Sequence, residues 1–218
     1  MGLAAKRIAP RTSLGWLIAA PLLPDLLWPV FVLLGWETVR IEPGATVVTP
    51  FVFVSYPISH SLVGAAGWAT LLGVAYWATS RYVRGAFVIG VGVVSHWFLD
   101  WVVHAPDLAL YPGGTNYGLG LWNSMAATLA AEALVFGGGA WLYARSTRAT
   151  SRGGRLDWWA FVAFVTVAYA ANLLGPPPSR VEEVASVTLS LWVMPVWAWW
   201  FDRKRVFVVQ ADLLGRVE

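Results

Sequence analysis

At positions 95–107 the chain reads Ser95-His96-Trp97-Phe98-Leu99-Asp100-Trp101-Val102-Val103-His104-Ala105-Pro106-Asp107. This segment begins in a hydrophobic run and holds two of the three histidines of the chain. His96, Asp100 and His104 are spaced four residues apart, so on a helix each is rotated by only about 40° from the one before and all share a face. Ionisable side chains are costly in hydrocarbon and usually face a bundle interior or a wet cavity. The face is therefore a candidate functional site, and a purely structural His96–Asp100 hydrogen bond is the alternative.

The composition indicates an integral membrane protein. Of 218 residues, 58% are hydrophobic and 12% are charged, with a mean hydropathy of +0.61. A soluble domain carries about 25% charged residues. Several apolar runs approach the roughly 20 residues that a helix needs to cross a bilayer. With no cysteine, the chain has neither disulfides nor a thiolate metal site.

We predict an all-α membrane protein whose six transmembrane helices form one bundle, a single domain over residues 1–218. The predicted spans cover about 14–36, 58–79, 85–104, 122–143, 156–174 and 184–201, followed by a cytoplasmic tail over 202–218. Pro24 predicts a kink or break in the first span near Asp25. Residues 37–57 fit either a hairpin or a re-entrant segment, and residues 206–218 fit a short helix on the membrane surface.

The basic residues predict the orientation in the membrane. The N-terminus, the second and fourth links between spans, and the tail together hold 13 of the 15 Lys and Arg residues. The other three links hold only Arg40 and Arg180. Because Lys and Arg concentrate on the cytoplasmic side, this alternation predicts that both termini are cytoplasmic, as in a bacterial inner (plasma) membrane protein. Arginines with this role at span ends give no reason to expect a nucleic-acid partner.

This topology brings the polar residues of four spans into one layer. Every histidine and every carboxylate deep within a span, namely Asp25, Asp100 and Glu132, falls between the midplane and the outer surface. Neutral imidazoles with carboxylates suit zinc or another divalent ion. We therefore expect one metal site formed by Asp25, His60, His96 and Asp100.

Three further residues are candidates for proton transfer or for supporting a liganding histidine. They are His104, Asp107 and Glu132. Glu132 ends a polar stripe that begins with Ser124 and Thr128, which we expect to face the third span. A structural role for Glu132, as a hydrogen-bond partner within that stripe, is the competing interpretation.

Three short motifs carry a family resemblance: Leu23-Pro24-Asp25, Ser59-His60-Ser61-Leu62 and Ser95-His96-Trp97-Phe98-Leu99-Asp100. In this order the chain resembles the inner-membrane metal-dependent hydrolases, a family distantly similar to zinc-dependent phospholipase C. The resemblance covers about residues 14–112 and implies the same four metal ligands. The chain departs from the family pattern after Asp25, where an Asp-His pair is often found, and before Ser59, where His-Arg-Gly is common.

The leading hypothesis is a metal-dependent hydrolase that acts on a lipid or lipid-linked ester at the outer leaflet. A second hypothesis is a b-type haem or pigment protein with two histidines as axial ligands. A third is a non-catalytic accessory subunit of a larger membrane complex. Membrane lipids are the expected partners in each case, together with either a second copy of the chain or another membrane protein.

Overall fold

The protein is mostly helical and has six helices long and apolar enough to cross a membrane, which confirms the predicted architecture. The computed structural model describes residues 1–208. A short helix α1 (Gly2–Ala5) precedes the first three spans, α2 (Leu14–Leu33), α4 (Leu62–Ser80) and α5 (Val83–Val103). The remaining spans are α6 (Met125–Ser146), α7 (Arg152–Leu174) and a last span in two parts, α8 (Val181–Leu189) and α9 (Val193–Asp202).

The last span is divided by one turn of 3-10 helix at Ser190–Trp192. A second 3-10 turn, Leu121–Asn123, precedes α6. Arg81 closes α4 in the left-handed conformation, with φ of 55°, so that the chain reverses directly into α5. α4 and α5 therefore run in opposite directions.

The central helix is α2, which packs against α5, α8, α9 and α1. It contains Pro21, Pro24 and Pro29, yet the helix is continuous from Leu14 to Leu33. The predicted break near Asp25 is therefore wrong, and the alternative, a kink there, stays a prediction. Each proline removes one backbone donor, but the helix is enclosed by its neighbours, and Pro24 is fully buried. Tertiary packing thus keeps α2 helical against the local preference.

One end of the bundle, which we call the basic end, collects the arginine-rich links and the start of the chain. The Lys6 ammonium donates to Asp202 Oδ2 at 2.6 Å and to the Thr12 carbonyl at 2.9 Å. The Tyr143 hydroxyl donates to the other Asp202 oxygen at 2.9 Å. Strand β5 (Thr147–Ala149) pairs with β6 (Arg205–Phe207), so the expected surface helix does not begin at residue 206. The rest of that prediction, residues 209–218, lies outside the described residues.

The opposite end, which we call the hairpin end, contains the connection that the sequence left open. Strand β1 (Thr38–Ile41) pairs antiparallel with β2 (Phe51–Ser55), so residues 37–57 form a hairpin and not a re-entrant segment. A single helical turn, α3 (Pro57–His60), follows. A second small ribbon pairs β3 (Leu108–Ala109) with β4 (Asn116–Tyr117). Buried Trp28, Val39, Tyr56 and Trp97 form the core beneath these ribbons.

The second span begins later than predicted, because Ser61 interrupts the helix. Ser61 has extended backbone angles, and its hydroxyl accepts from the Gly64 amide at 3.0 Å, which caps α4. His60 therefore lies at the end of its own turn, α3, and not within the span. This break allows the imidazole to point into the bundle independently of the direction of α4.

Candidate metal centre

Two imidazoles and two carboxylates converge between α2, α3 and α5. His96 Nε2 lies 2.9 Å from Asp100 Oδ2 and 3.8 Å from Asp25 Oδ1. His60 Nε2 lies 3.4 Å from Asp25 Oδ1 and 3.7 Å from Asp100 Oδ2. One ligand atom each from Asp25, His60 and His96 falls within 4.8 Å of the others, so this group could hold a metal ion. The i, i+4 spacing explains why α5 supplies two members from one face.

His60 is held by a buried carboxylate that the sequence interpretation missed. Glu37 is 2% exposed and accepts hydrogen bonds at 2.8 Å from the amides of Ile58 and Ser59. The Ser59 hydroxyl donates to the second Glu37 oxygen at 2.6 Å and lies 2.6 Å from His60 Nδ1. A carboxylate can only accept, so the Ser59 proton goes to Glu37 and the Ser59 oxygen accepts from His60 Nδ1–H. The proton of a neutral His60 is thereby placed on Nδ1, and Nε2 keeps a lone pair.

His96 is held in the same tautomer by a different acceptor. Its Nδ1 lies 2.8 Å from the Pro21 carbonyl oxygen on α2. A carbonyl oxygen accepts only, so Nδ1 carries the proton and Nε2 of a neutral His96 is again unprotonated. Close contact between the helices makes this bond feasible, because a Cβ added to Gly92 of α5 would lie 3.1 Å from Ala20 Cβ on α2.

With both histidines neutral, the cluster consists of acceptors with no donor among them. Both Nε2 atoms present lone pairs toward two carboxylates in a largely buried site. His96 Nε2 and Asp100 Oδ2 are buried and lie 2.9 Å apart, so a protonated His96 would donate to Asp100, whereas a neutral His96 leaves both atoms without a hydrogen-bond partner among the described residues. Unpaired buried polar atoms are costly. A cation between the four groups would satisfy all of them, and an Nδ1–H bonded to an acceptor is the usual support of a liganding histidine.

A second polar cluster lies next to His60. The Tyr56 hydroxyl donates to Asp107 Oδ1 at 2.6 Å, and His104 Nδ1 lies 3.0 Å from the same oxygen. Burial, followed by the Asp107 carboxylate, raises the pKa of Tyr56 above its ordinary value, so the phenol stays protonated. Tyr56, Asp107 and His60 line one cavity of about 220 Å³. The two clusters therefore share an opening at the hairpin end.

Glu132 lies apart from both clusters. It is half-buried beside Tyr169 of α7. No ion pair or hydrogen bond within residues 1–208 links it to His96, Asp100 or His104. Thr128 is buried, but its hydroxyl donates at 2.9 Å to the Leu121 carbonyl and not to α5. The polar stripe of α6 therefore does not join the third span as expected, because α6 packs mainly against α1 and the neighbouring 3-10 turn.

The residues that the sequence interpretation missed had weak signals. Glu37 looked like one charge in a polar link, and only the hairpin returns the chain so that Glu37 caps the turn carrying His60. Tyr56 precedes Pro57 in a run of β-branched and aromatic residues, a context that does not distinguish it from its aromatic neighbours. Neither contact is local enough for periodicity to predict.

Comparisons with known proteins identify a family for this chain but no individual relative. No curated protein and no solved structure matched the chain significantly. A family model described as YdjM inner membrane protein matches residues 1–175, which include every residue of both clusters and five of the six spans. The match and the six candidate spans together indicate a multi-pass inner membrane protein. The chain therefore belongs to the YdjM inner membrane protein family.

Proposed function

We propose that Asp25, His60, His96 and Asp100 bind one divalent metal ion, with zinc as the first candidate, and that the protein is a metal-dependent hydrolase. The observation that carries this proposal is the pair of histidine Nε2 atoms, each with its Nδ1 hydrogen-bonded to an acceptor and each facing carboxylates. Imidazole nitrogens and carboxylate oxygens are the ligands of catalytic zinc sites. When bound, such an ion supplies Lewis acidity and a water whose pKa falls toward 7.

The site has an accessible side. The Asp25 side chain is 37% exposed, whereas His60, His96 and Asp100 are at most 15% exposed. A catalytic metal site keeps a position open for water or substrate, whereas a structural site is closed. The cavity beside His60 supplies a second approach, from the hairpin end. Both features favour catalysis over a purely structural ion.

The cluster of Tyr56, His104 and Asp107 is suited to proton handling. Asp107 accepts from the Tyr56 hydroxyl, and His104 Nδ1 is within hydrogen-bond distance of the same carboxylate oxygen. Asp107 lines the cavity that also reaches His60. In the proposal, Asp107 takes a proton from the attacking water or returns one to the leaving group. Tyr56 would orient Asp107 through its 2.6 Å bond.

The proposed substrate is a lipid or lipid-linked ester. The two clusters lie toward the hairpin end of spans whose outer surfaces are apolar, so an ester at the level of the headgroups would reach them without leaving the membrane. The distribution of Lys and Arg supports placing this end on the outer side. The reaction in this proposal is hydrolysis of the ester at the outer leaflet.

A haem between two histidines fits the geometry less well. Both Nε2 atoms lie within 3.8 Å of Asp25 and Asp100, so the carboxylates occupy the space that a porphyrin would need. Haem ligation uses no carboxylates of this kind. We therefore keep the hydrolase as the proposed function.

The experiment is a hydrolysis assay on the full-length protein in detergent, loaded with Zn²⁺ and mixed with liposomes made from a bacterial lipid extract. Released headgroups and acyl products are identified by mass spectrometry. We expect hydrolysis that a chelator abolishes and that Zn²⁺ restores, and a loss of about 100-fold in Asp100→Asn, the upper end of the effect of altering a residue that supports a metal ligand.

The control is Ser95→Ala, because Ser95 neighbours His96 but bonds only to the Gly92 carbonyl of its own helix. This variant should keep full activity. Equal products from the wild type and Asp100→Asn would overturn the hydrolase. A metal-loaded wild type that hydrolyses none of the lipids in the extract would favour the accessory-subunit hypothesis.

A further inference from the structure

A second candidate site lies at the basic end, far along the chain from the metal ligands. A cavity of about 720 Å³ opens between the α6–α7 link and the strand β6. Its volume falls in the range of roughly 300–1,000 Å³ typical of ligand sites. Five arginines line it: Arg145, Arg148, Arg152, Arg155 and Arg205. The pairing of β5 with β6 places Arg205 beside the link between α6 and α7, where it joins the other four arginines.

The arginines of this cavity are not paired with acidic side chains among the described residues, although Asp202 acts on Arg205 at longer range. Within residues 1–208, none of the five arginines forms an ion pair. The neighbouring acid Asp157 is bonded instead to Lys204, at 2.7 Å. By contrast, the two arginines of the hairpin end are both paired, Arg40 with Glu42 and Arg180 with Glu183. Setting the topology requires basic residues at this end, but it does not require them to share one cavity.

The wall of the cavity combines the arginines with a buried tryptophan. Trp158 lines the cavity and is 2% exposed, and its indole Nε1 has no hydrogen-bond partner among the described residues. An indole N–H only donates, so it needs an acceptor. Arginine guanidinium groups are the preferred partners of phosphate oxygens, which they bind in bidentate fashion. A phosphate in this cavity would thus be bound by the arginines.

The surroundings of the cavity favour a lipid over a free anion. Trp159 also lines the cavity and is 60% exposed, and Leu156, one turn earlier on the same helix, is 56% exposed. Exposed tryptophan at a span end is typical of the membrane interface. Basic pockets at such positions bind anionic lipid headgroups. We infer that this cavity binds the phosphate of an anionic phospholipid, with the acyl chains lying along the exposed apolar face of α7.

The test measures lipid binding to the full-length protein in a non-ionic detergent by native mass spectrometry. The lipids are dioleoylphosphatidylglycerol and dioleoylphosphatidylcholine, and inorganic phosphate is added as a competitor. We expect the anionic lipid to bind more tightly than the zwitterionic one. Excess phosphate should not displace it, because phosphate lacks the acyl chains.

The decisive variant is Arg148→Gln with Arg152→Gln, two exposed arginines of the cavity. It should weaken phosphatidylglycerol binding by about 25-fold, or fivefold for each arginine. The matched control is Arg11→Gln with Arg84→Gln, two exposed arginines of the same end that do not line the cavity. Thermal unfolding checks that each variant is folded.

Three results would overturn the inference: an equal loss in the control variant, equal affinity for the two lipids, or displacement by phosphate. The first would indicate a general surface charge, and the last would indicate a site for a free anion. If the double variant does not fold, Arg148→Gln alone should still show the fivefold loss. The inference does not rest on the metal site, and the metal content of all these variants should equal that of the wild type.

Discussion

At the scale of single residues, Glu37 decides which nitrogen of His60 is available to a metal. It accepts three hydrogen bonds, two from backbone amides and one from the Ser59 hydroxyl. The direction of the Ser59 proton then sets the His60 tautomer. A fully buried carboxylate is costly unless it is hydrogen-bonded in this way. The three hydrogen bonds offset that cost and hold the Ser59 hydroxyl beside His60.

We predict that Glu37→Gln weakens zinc binding by about 10- to 100-fold, the usual effect of altering a residue that supports a metal ligand. The amide nitrogen of Gln donates where the carboxylate accepted. The Ser59 hydroxyl would then donate to His60 Nδ1 and leave the proton on Nε2, the atom that must bind the metal. Zinc affinity is measured by competition with a chromogenic chelator.

The control for this variant is Glu42→Gln in the same hairpin, whose side chain is 51% exposed and paired with Arg40. It should bind zinc as the wild type does. Unchanged affinity in Glu37→Gln, with thermal unfolding showing a folded protein, would mean that Glu37 does not set the state of His60.

At the scale of secondary-structure elements, the contact between α2 and α5 brings Asp25 and His96 together. The bond from His96 Nδ1 to the Pro21 carbonyl crosses this contact at 2.8 Å. Gly92 lies one turn before His96, where a larger side chain would press on Ala20 and Pro21. The distance between these two helices therefore controls the geometry of the site.

We predict that Gly92→Val pushes α5 away from α2, which lowers both stability and metal affinity. Overpacking of this kind costs about 1–3 kcal/mol. The control is Gly67→Val on α4, where an added Cβ meets nothing within 4 Å. Both variants introduce the same residue into a span, so a comparable loss of zinc affinity in the two would refute the packing argument. Unfolding in mixed detergent micelles measures the stability, and chelator competition measures the affinity.

The elements themselves were predictable to different degrees. Length and hydropathy predicted the six spans, because each is a long apolar run bounded by basic residues or turns. The continuous α2 could not be predicted, because its packing overrides three prolines. The separate turn at α3 was also missed, since it depends on the Ser61 cap and on Glu37, which returns through the hairpin.

At the scale of the whole molecule, the separation of charge between the two ends predicts the orientation. The basic end holds the unpaired arginine cavity, and the hairpin end holds the histidine clusters. Because Lys and Arg remain on the cytoplasmic side, the hairpin end should face outward. The chain has no cysteine, so single-cysteine variants report position without background.

We predict that Asn116→Cys reacts with an impermeant thiol reagent added to intact cells and that Ser151→Cys does not. Both residues are exposed, Asn116 in β4 at the hairpin end and Ser151 at the start of α7 at the basic end. Permeabilised cells provide the control, in which both should react. The reverse pattern in intact cells would show that the metal-site cluster faces the cytoplasm. A substrate in the outer leaflet would then no longer be part of the proposal.

The candidate site illustrates where sequence reasoning succeeds for a membrane protein. The sequence was sufficient to group Asp25, His60, His96 and Asp100. Polar residues at one depth on neighbouring spans avoid lipid and face the bundle interior, where they meet. Glu132 satisfied the same depth rule but lies on a helix that packs elsewhere. Depth follows from position in a span, whereas the direction of a helix face depends on packing that hydropathy does not encode.

The central claim is that four side chains from α2, α3 and α5 bind one metal ion. Its most direct test is the metal content of the detergent-purified full-length protein, reconstituted with Zn²⁺ and desalted, by inductively coupled plasma mass spectrometry. We predict one ion per chain in the wild type and in Ser95→Ala, and almost none in His60→Ala or His96→Ala. A wild type without stoichiometric metal, or histidine variants that retain it, would contradict the claim.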